Sequence, residues 1–210
     1  MDVMTTVLTR RSVLRLTEPG PDDGTLLELV EAASTAPDHG RLAPWRLILI
    51  RGQGRERLGA ALAEGARDRR AHERARGKPL RAPLLVTIVF RPRLPHPKVP
   101  EWEQLAATVS LVQTLHLLLH SRGWGVMWRT GTAVDSPAVR ECLGISGGER
   151  LLGWLYIGTP DRRVAPAPRR RIDVRERVSV LEPGDNSRCL PQQPPRAEDG
   201  VHERVLRGRR

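Results

Sequence analysis

Residues 36–50, APDHGRLAPWRLILI, join a helical period to a strand period, and that junction decides the fold. Upstream, Thr25–Thr35 places Leu26, Leu27, Leu29, Val30 and Ala33 on one broad face, the spacing of an amphipathic helix. The turn before it, residues 18–24 (EPGPDDG), offers Asp22 and Asp23 as N-cap candidates, whose carboxylates can accept the unpaired amides of a first helical turn. Pro37 stops the helix, because its ring removes a donor and blocks the preceding turn. Downstream, Trp45–Ile50 (WRLILI) is rich in β-formers and reads as a central strand. Between them lie Pro37, Asp38, His39 and Gly40. They are more polar and turn-prone than a core connection needs, and so are a candidate wall of a site.

Toward the C-terminus, Gly52–Gly54 turns the chain into a charged segment, Arg55–Arg76, that reads as one long helix with Leu58, Ala61, Leu62 and Ala66 on its apolar side. Pro83–Phe90 (PLLVTIVF) is apolar throughout, the mark of a strand buried on both faces. After a Pro-rich loop, residues 91–100, Trp102–His120 forms the most apolar helix, with Leu105, Ala106, Val109, Val112, Leu115 and Leu119 as its stripe. A third strand follows at Gly123–Trp128. A short helix at Pro137–Leu143 has Ser136 as N-cap and Pro137 at its first position, and a fourth strand runs over Leu151–Ile157. Toward the N-terminus, Val3–Arg10 is a short helix that ends in Arg10, Arg11 and Ser12. Strands separated by helices, without strict βαβ regularity, give an α+β domain. We place it at residues 1–180, with 181–210 as a disordered Pro- and Arg-rich tail.

At 210 residues the chain fits one domain with a sizeable core. Its formal net charge of +11 raises a nucleic-acid partner. The basic residues, however, are almost all Arg, with Lys only at Lys78 and Lys98, and acidic residues are interleaved with them. That pattern is a solvated surface, and no specific nucleic-acid partner is expected. Cys142, on the apolar side of a short helix, and Cys189, in the tail, form no CxxC, which fits a reduced cytoplasmic setting. The first residues lack the apolar core of a signal peptide, and His116 and His120 interrupt the longest apolar run, so no membrane partner is expected. Those two histidines, four apart, could share one helix face as metal ligands, but no Cys, Asp or Glu clusters near them, and no metal site is assigned. There is no GxGxxG after a strand, no P-loop, no GxSxG and no HExxH.

What remains is a dispersed set: Arg10-Arg11-Ser12 after the first helix, APDHGRLAPW after the second, KVPEWEQ before the apolar helix, GWGVMWRTG at a strand end, and YIGTP near the C-terminus. In this order and at these separations they resemble the nitroreductase family, and among its members the short bacterial NAD(P)H nitroreductases that bind FMN. The resemblance covers Met1 to Val178. It implies a mixed central sheet flanked by helices, in an intertwined homodimer with FMN at the subunit interface. Carried over position by position, Arg10, Arg11 and Ser12 match contacts to the flavin phosphate and ribityl chain. His39 matches a contact that reaches FMN across the subunit boundary. Thr35 matches a cofactor position that is often basic in relatives, so a phosphate role is in doubt there. Trp128, Arg129 and Thr130 match the segment lining the isoalloxazine ring. Leu118, Leu119, His120, Ser121, Arg122 and Gly123 match a stretch assigned to nicotinamide, although an apolar helix end reads plainly as structure.

The same resemblance implies an FMN-dependent oxidoreductase that takes hydride from NADH or NADPH at flavin N5 and passes it to nitroaromatic or quinone-like acceptors in a ping-pong cycle. The cofactor supplies the redox chemistry, so no side-chain nucleophile or acid–base pair is required. Reduced flavin is anionic at N1/O2, and a cation there stabilises it; Arg129 is the candidate, with Arg11 as competitor. Arg169, Arg170 and Arg171 could add a phosphate contact or enter the tail as solvated surface. Trp102 either lines the substrate channel or anchors its helix. A flavin-handling protein of the same fold without nicotinamide turnover is the alternative, and a basic nucleic-acid-binding module the remote one.

Overall fold

A computed structural model describes residues 1–161, 163, 172–181 and the backbone of 188–189. Cα packing divides the chain into Met1–Pro166 and Ala167–Arg210. In the first unit the order is α1 (Val3–Thr9), β1 (Leu16–Thr17), α2 (Asp23–Ala33), β2 (Trp45–Ile50), α3 (Gly52–Ala63), α4 (Arg69–Arg76), β3 (Leu84–Phe90), α5 (Glu101–Ser121), β4 (Gly125–Arg129), α6 (Pro137–Cys142) and β5 (Arg150–Pro160). In the second unit, β6 (Ser179–Val180) pairs antiparallel with β7 (Arg188–Cys189). Among the described residues no helix is long and apolar enough to cross a membrane.

The sheet of the first unit is built around β3 and β5. β3 takes β2 on one side, from Trp45 opposite Phe90 to Ile50 opposite Leu85, and β5 on the other; β5 also pairs with β4 and β1. These ladders are antiparallel, and a parallel bridge joins Ser12 to Val126. Successive β3 side chains serve opposite faces, as the strand period requires. Leu84, Val86 and Ile88 pack with Leu26, Leu29, Leu111, Leu115 and Leu119 of α2 and α5, while Leu85 packs with Leu58 and Val139 of α3 and α6. The α+β reading therefore holds, as helix layers on both sides of one sheet.

Two readings change. WRLILI is not central: among the described strands β2 pairs only with β3. It looked central because both its faces are apolar, Leu47 and Leu49 toward one helix layer, Ile48 and Ile50 toward the other. The long charged helix is two. Gly65, at φ +75°, ends the first run, and Asp68 caps the second by accepting the Ala71 amide at 2.7 Å. α4 then folds back so closely that a Cβ on Gly59 would lie 2.4 Å from the Arg76 carbonyl oxygen. Of the two N-cap candidates for α2, Asp22 accepts the Thr25 amide at 2.7 Å. Cys142 packs half-buried against the α3–α6 layer, as expected of a core thiol.

One ion pair ties the outer strand to the far end of β5. Arg46 of β2 grips Glu149 in bidentate fashion, Nε and Nη2 each 2.7 Å from a carboxylate oxygen, and the Ser146 amide donates to the same group at 3.0 Å. Glu149 is 6% exposed. Arg46 first, then these amide contacts, pull its carboxyl from 4.5 down to about 2. A carboxyl lowered in the folded state stabilises above its unfolded value and loses that contribution as pH falls toward the folded one. Glu149→Gln should therefore cost on the order of 2 kcal/mol in urea titrations at pH 7. The gap to the wild-type chain should close between pH 4.5 and about 2; a gap independent of pH would refute this account.

Candidate functional site

The basic loop comes first, because the backbone places it. After α1, whose N-cap Asp2 accepts the Thr5 amide at 3.0 Å, the chain runs along β4: the Val13 amide donates to the Val126 carbonyl at 3.0 Å beside the Ser12–Val126 bridge. Ser12 is thus held at Val126 of the strand that carries Trp128 and Arg129, with Arg10 and Arg11 immediately before it in the chain. Arg11 is half-buried and forms no ion pair or side-chain hydrogen bond among the described residues. Arg10 lies within electrostatic reach of His116 and His120 on α5. Burial chiefly, and Arg10 next, hold His116 down to about 4 and lower His120, so both rings are neutral near pH 7. His116 is buried rather than superficial, at 6% exposure. The Thr9 hydroxyl donates to the Thr5 carbonyl at 2.6 Å, so its 2.9 Å bond to His120 Nε2 takes the ring N–H as donor.

The strand end is fixed by a bulge. Pairing of β3 with β5 steps from Ile88 opposite Gly153 to Val89 opposite Leu151, leaving Leu152 as the extra residue. The Leu152 carbonyl accepts the Trp128 indole N–H at 3.0 Å. Gly153 has φ +109°, and a Cβ there would lie 2.3 Å from the Arg129 carbonyl oxygen, so only glycine lets this segment close on β5. Trp128 packs toward α5, whereas Arg129 sits over the Tyr156 ring at 5.5 Å on the opposite face. Arg129, Trp128 and Thr130 border a cavity of about 290 Å³ that also meets Lys78, Arg81 and Tyr156. Among the described residues no carboxylate lines it. Trp154, 4% exposed, also lines it and keeps its indole N–H buried without a partner among the described residues. Lys78 and Arg81 did not emerge from the sequence as site residues. The signal was there: Lys78 is one of two lysines in a chain whose cations are otherwise arginine.

The junction forms a third group. His39 opens a short 3₁₀ turn, His39–Arg41, in which Gly40, Arg41 and then Ala43 take φ of +77°, +53° and +45°. Arg41 and Ala43 are strained there, at about 1 kcal/mol or more each. Asp38 offsets part of this by accepting the Ala43 amide at 2.7 Å. His39 Nδ1 lies 2.7 Å from Glu103 on α5, and the His39 side chain is 61% exposed. Glu103 belongs to the KVPEWEQ segment already singled out. Thr35 donates to its own helix, at the Ala32 carbonyl, 2.8 Å away. It lines a cavity of about 520 Å³ with Asp38, Arg41, Trp45, Ala107 and Leu111.

The three groups do not all meet within the one chain. Glu103, beside His39, lies 13 residues before His116 and 17 before His120 on α5. That is about 20–26 Å at the helical rise of 1.5 Å per residue. Leu118–Gly123 ends this helix. Leu119 is wholly buried in the core and Leu118 half-buried; Gly123 turns the chain at φ +88°, and the Trp124 amide returns to the Leu119 carbonyl at 2.9 Å. Leu118, His120, Ser121, Arg122 and Gly123 reach the surface in part or in full, whereas Leu119 does not. Trp102 is 68% exposed and so does not anchor its helix against the rest of the described chain. Arg169, Arg170 and Arg171 lie outside the described residues.

Among the described residues, this cavity brings Lys78, Arg81 and Arg129 together with Trp128, Trp154 and Tyr156 in a layered α+β chain. The sequence model of the nitroreductase family matches residues 7–159. A relative in Escherichia coli (strain K12), YdjA, named as an NAD(P)H nitroreductase, is 38% identical over 169 residues, covering 79% of this chain and 92% of its own. The solved structure of a nitroreductase-like family protein from Bacillus cereus superimposes with a TM-score of 0.77 at 27% identity, covering 87% of this chain and 97% of that one. A nitroreductase from Desulfovibrio desulfuricans, solved in complex with FMN, shares the fold at a TM-score of 0.65 and 21% identity, covering 87% and 98%. The chain belongs to the nitroreductase family.

Gly153 offers a direct check of the geometry. Gly153→Ala should introduce about 2 kcal/mol of strain and lower Tm by about 4 °C or more. Gly147→Ala, where a Cβ meets nothing within 4 Å, should leave Tm in place. Equal melting of the two variants would show that the close approach at Arg129 is not limiting.

Proposed function

We propose that this chain is an FMN-dependent NAD(P)H oxidoreductase acting on nitroaromatic or quinone-like acceptors as a cytoplasmic homodimer. Residues 1–180 form its flavin domain and 181–210 its tail. The observation that supports the reading is the cavity bordered by Trp128, Arg129 and Thr130 and lined also by Lys78, Arg81, Trp154 and Tyr156, on the strand to which Ser12 is bridged at Val126. Arg11 and Ser12 suit a phosphate, one by charge and the other by hydroxyl. The residues around the 290 Å³ cavity suit a planar ring with an anionic edge: Lys78, Arg81 and Arg129 give positive potential, and the Trp154 N–H awaits a partner. FMN bound here would accept hydride from NADH or NADPH at N5 and return it to an acceptor in a ping-pong cycle. The protein's part is to bind, orient and bias charge.

The separation along α5 supports a composite site: His39 and Thr35 of one protomer serve the flavin held by Arg10, Arg11 and Ser12 of the other. Exposed apolar side chains on α1 (Val3, Met4, Val7, Leu8) and on α5 (Trp102, Val109) support a face covered by a second copy. His120, Ser121, Arg122 and Gly123 are the nicotinamide-side candidates, with Leu118 and Leu119 serving the helix beneath them.

Two measurements test the proposal. The purified protein should be yellow, and its flavin absorbance should bleach on anaerobic addition of NADH or NADPH. A colourless protein that added FMN does not reconstitute would end the reading, and bound FMN inert to both donors would favour the flavin-handling alternative. For the composite site, His39→Ala and Arg11→Ala homodimers should each lose FMN. Their mixed dimer holds one intact site and should retain about half the flavin of wild type. A mixed dimer as empty as its parents would place His39 and Arg11 in the same protomer's site.

A further inference from the structure

The backbone of the junction is fastened by two side chains. Asp38 accepts the Ala43 amide at 2.7 Å, and Thr108 of α5 donates to the Pro44 carbonyl at 3.2 Å. Glu103, nearer the start of α5, holds a side chain instead: its Oε2 lies 2.7 Å from His39 Nδ1. A carboxylate has no proton to give, so Nδ1 carries the hydrogen and donates. In the neutral ring that leaves Nε2 with a lone pair, able only to accept. Among the described residues Nε2 makes no hydrogen bond. Of the two partners Glu103 is the better held, with its side chain 27% exposed against 61% for His39. It stands in the first turn of α5 beside the buried Gln104, which bonds the backbone of Arg93 and Val99.

We infer that Glu103 is a positioning residue for His39: it fixes the ring's tautomer and plane, so that Nε2 receives an N–H or O–H group of the flavin held by the other protomer. Without the carboxylate, an exposed imidazole turns about its side-chain bonds and exchanges tautomers, and that freedom is lost again on binding. FMN carries such donors in its ribityl hydroxyls and its ring N3–H. Its ring carbonyl oxygens and its phosphate dianion only accept, and a neutral Nε2 cannot serve them. The pairing gives a reason for a carboxylate to stand beside a site that must hold an anion: it acts through the imidazole. Asp38, next to His39 in the chain, has its own carboxylate engaged by the Ala43 amide.

The tautomer follows from the hydrogen bond alone, whereas its consequence for FMN rests on the flavin reading. Long-range proton–nitrogen NMR of the FMN-free protein in alkaline solution should find the His39 ring proton on Nδ1. Glu103→Ala should move it to Nε2, the preference of a free imidazole side chain, while the Ala43 amide, held by Asp38, keeps its wild-type exchange rate. In FMN titrations Glu103→Ala should bind at least about fivefold more weakly than wild type. A ring proton on Nε2 in wild type, an unchanged tautomer in Glu103→Ala, loss of Ala43 protection in that variant, or FMN binding as tight as wild type would each overturn the positioning role. If the wild-type protein itself takes up no FMN, the flavin reading falls, and the tautomers of the two proteins still decide whether Glu103 sets the ring.

Discussion

The pairing of β4 with β5 governs the rest of the candidate site. It is a short ladder, Gly125–Arg129 against Gly158–Trp154, yet three separate elements depend on it. The basic loop hangs from its outer edge at Val126. The bulge at Leu152 turns Trp128 by its indole N–H. Gly153 lets the Arg129 carbonyl approach where any side chain would collide. Glycine and the bulge are weak elements of a sheet, and they sit here because the strand must be shaped for more than its own stability.

Much of this was legible in the sequence, for identifiable reasons. Amphipathic helices and apolar strands announce themselves by period, so α2, α5, β3 and β5 fall close to where the pattern puts them. The split of Arg55–Arg76 was also written there, in Gly65 and Asp68, but a charged surface helix has too weak an apolar stripe to show a break. The edge position of β2 was not legible, since a strand covered by helices on both faces has the composition of a central one. The RRS, PDHG and WRTG segments were found as patterns. Their arrangement on opposite ends of α5 depends on pairings of distant residues, which no local pattern encodes. Lys78 and Arg81 were missed because each is a lone cation just beyond the charged segment Arg55–Arg76; they matter through a cavity that only the fold assembles.

Charge is distributed with some economy. The chain is strongly basic, and where it needs a firm clamp it couples Arg46 with the buried Glu149. Around the cavity beside Trp128, the described lining holds Lys78, Arg81 and Arg129 and no carboxylate. The difference is between cations consumed in holding the fold together and cations whose field is left available. Asp38 and Glu103, on either side of His39, are the exceptions within the described candidate site, and they belong to the junction rather than to the loop.

α5 is also a measure of length. It runs 21 residues without a break, with the junction anchored near its start through Glu103 and Thr108 and the end of α1, just before the basic loop, held near its end through His120. Each residue advances a helix by 1.5 Å and turns it by about 100°. Loops elsewhere in the chain can lengthen or shorten in related sequences without moving either group. A single insertion or deletion within α5 would rotate one end against the other and send one set of contacts to the wrong side. The helix should therefore keep its residue count across evolutionary time, even as its individual side chains drift.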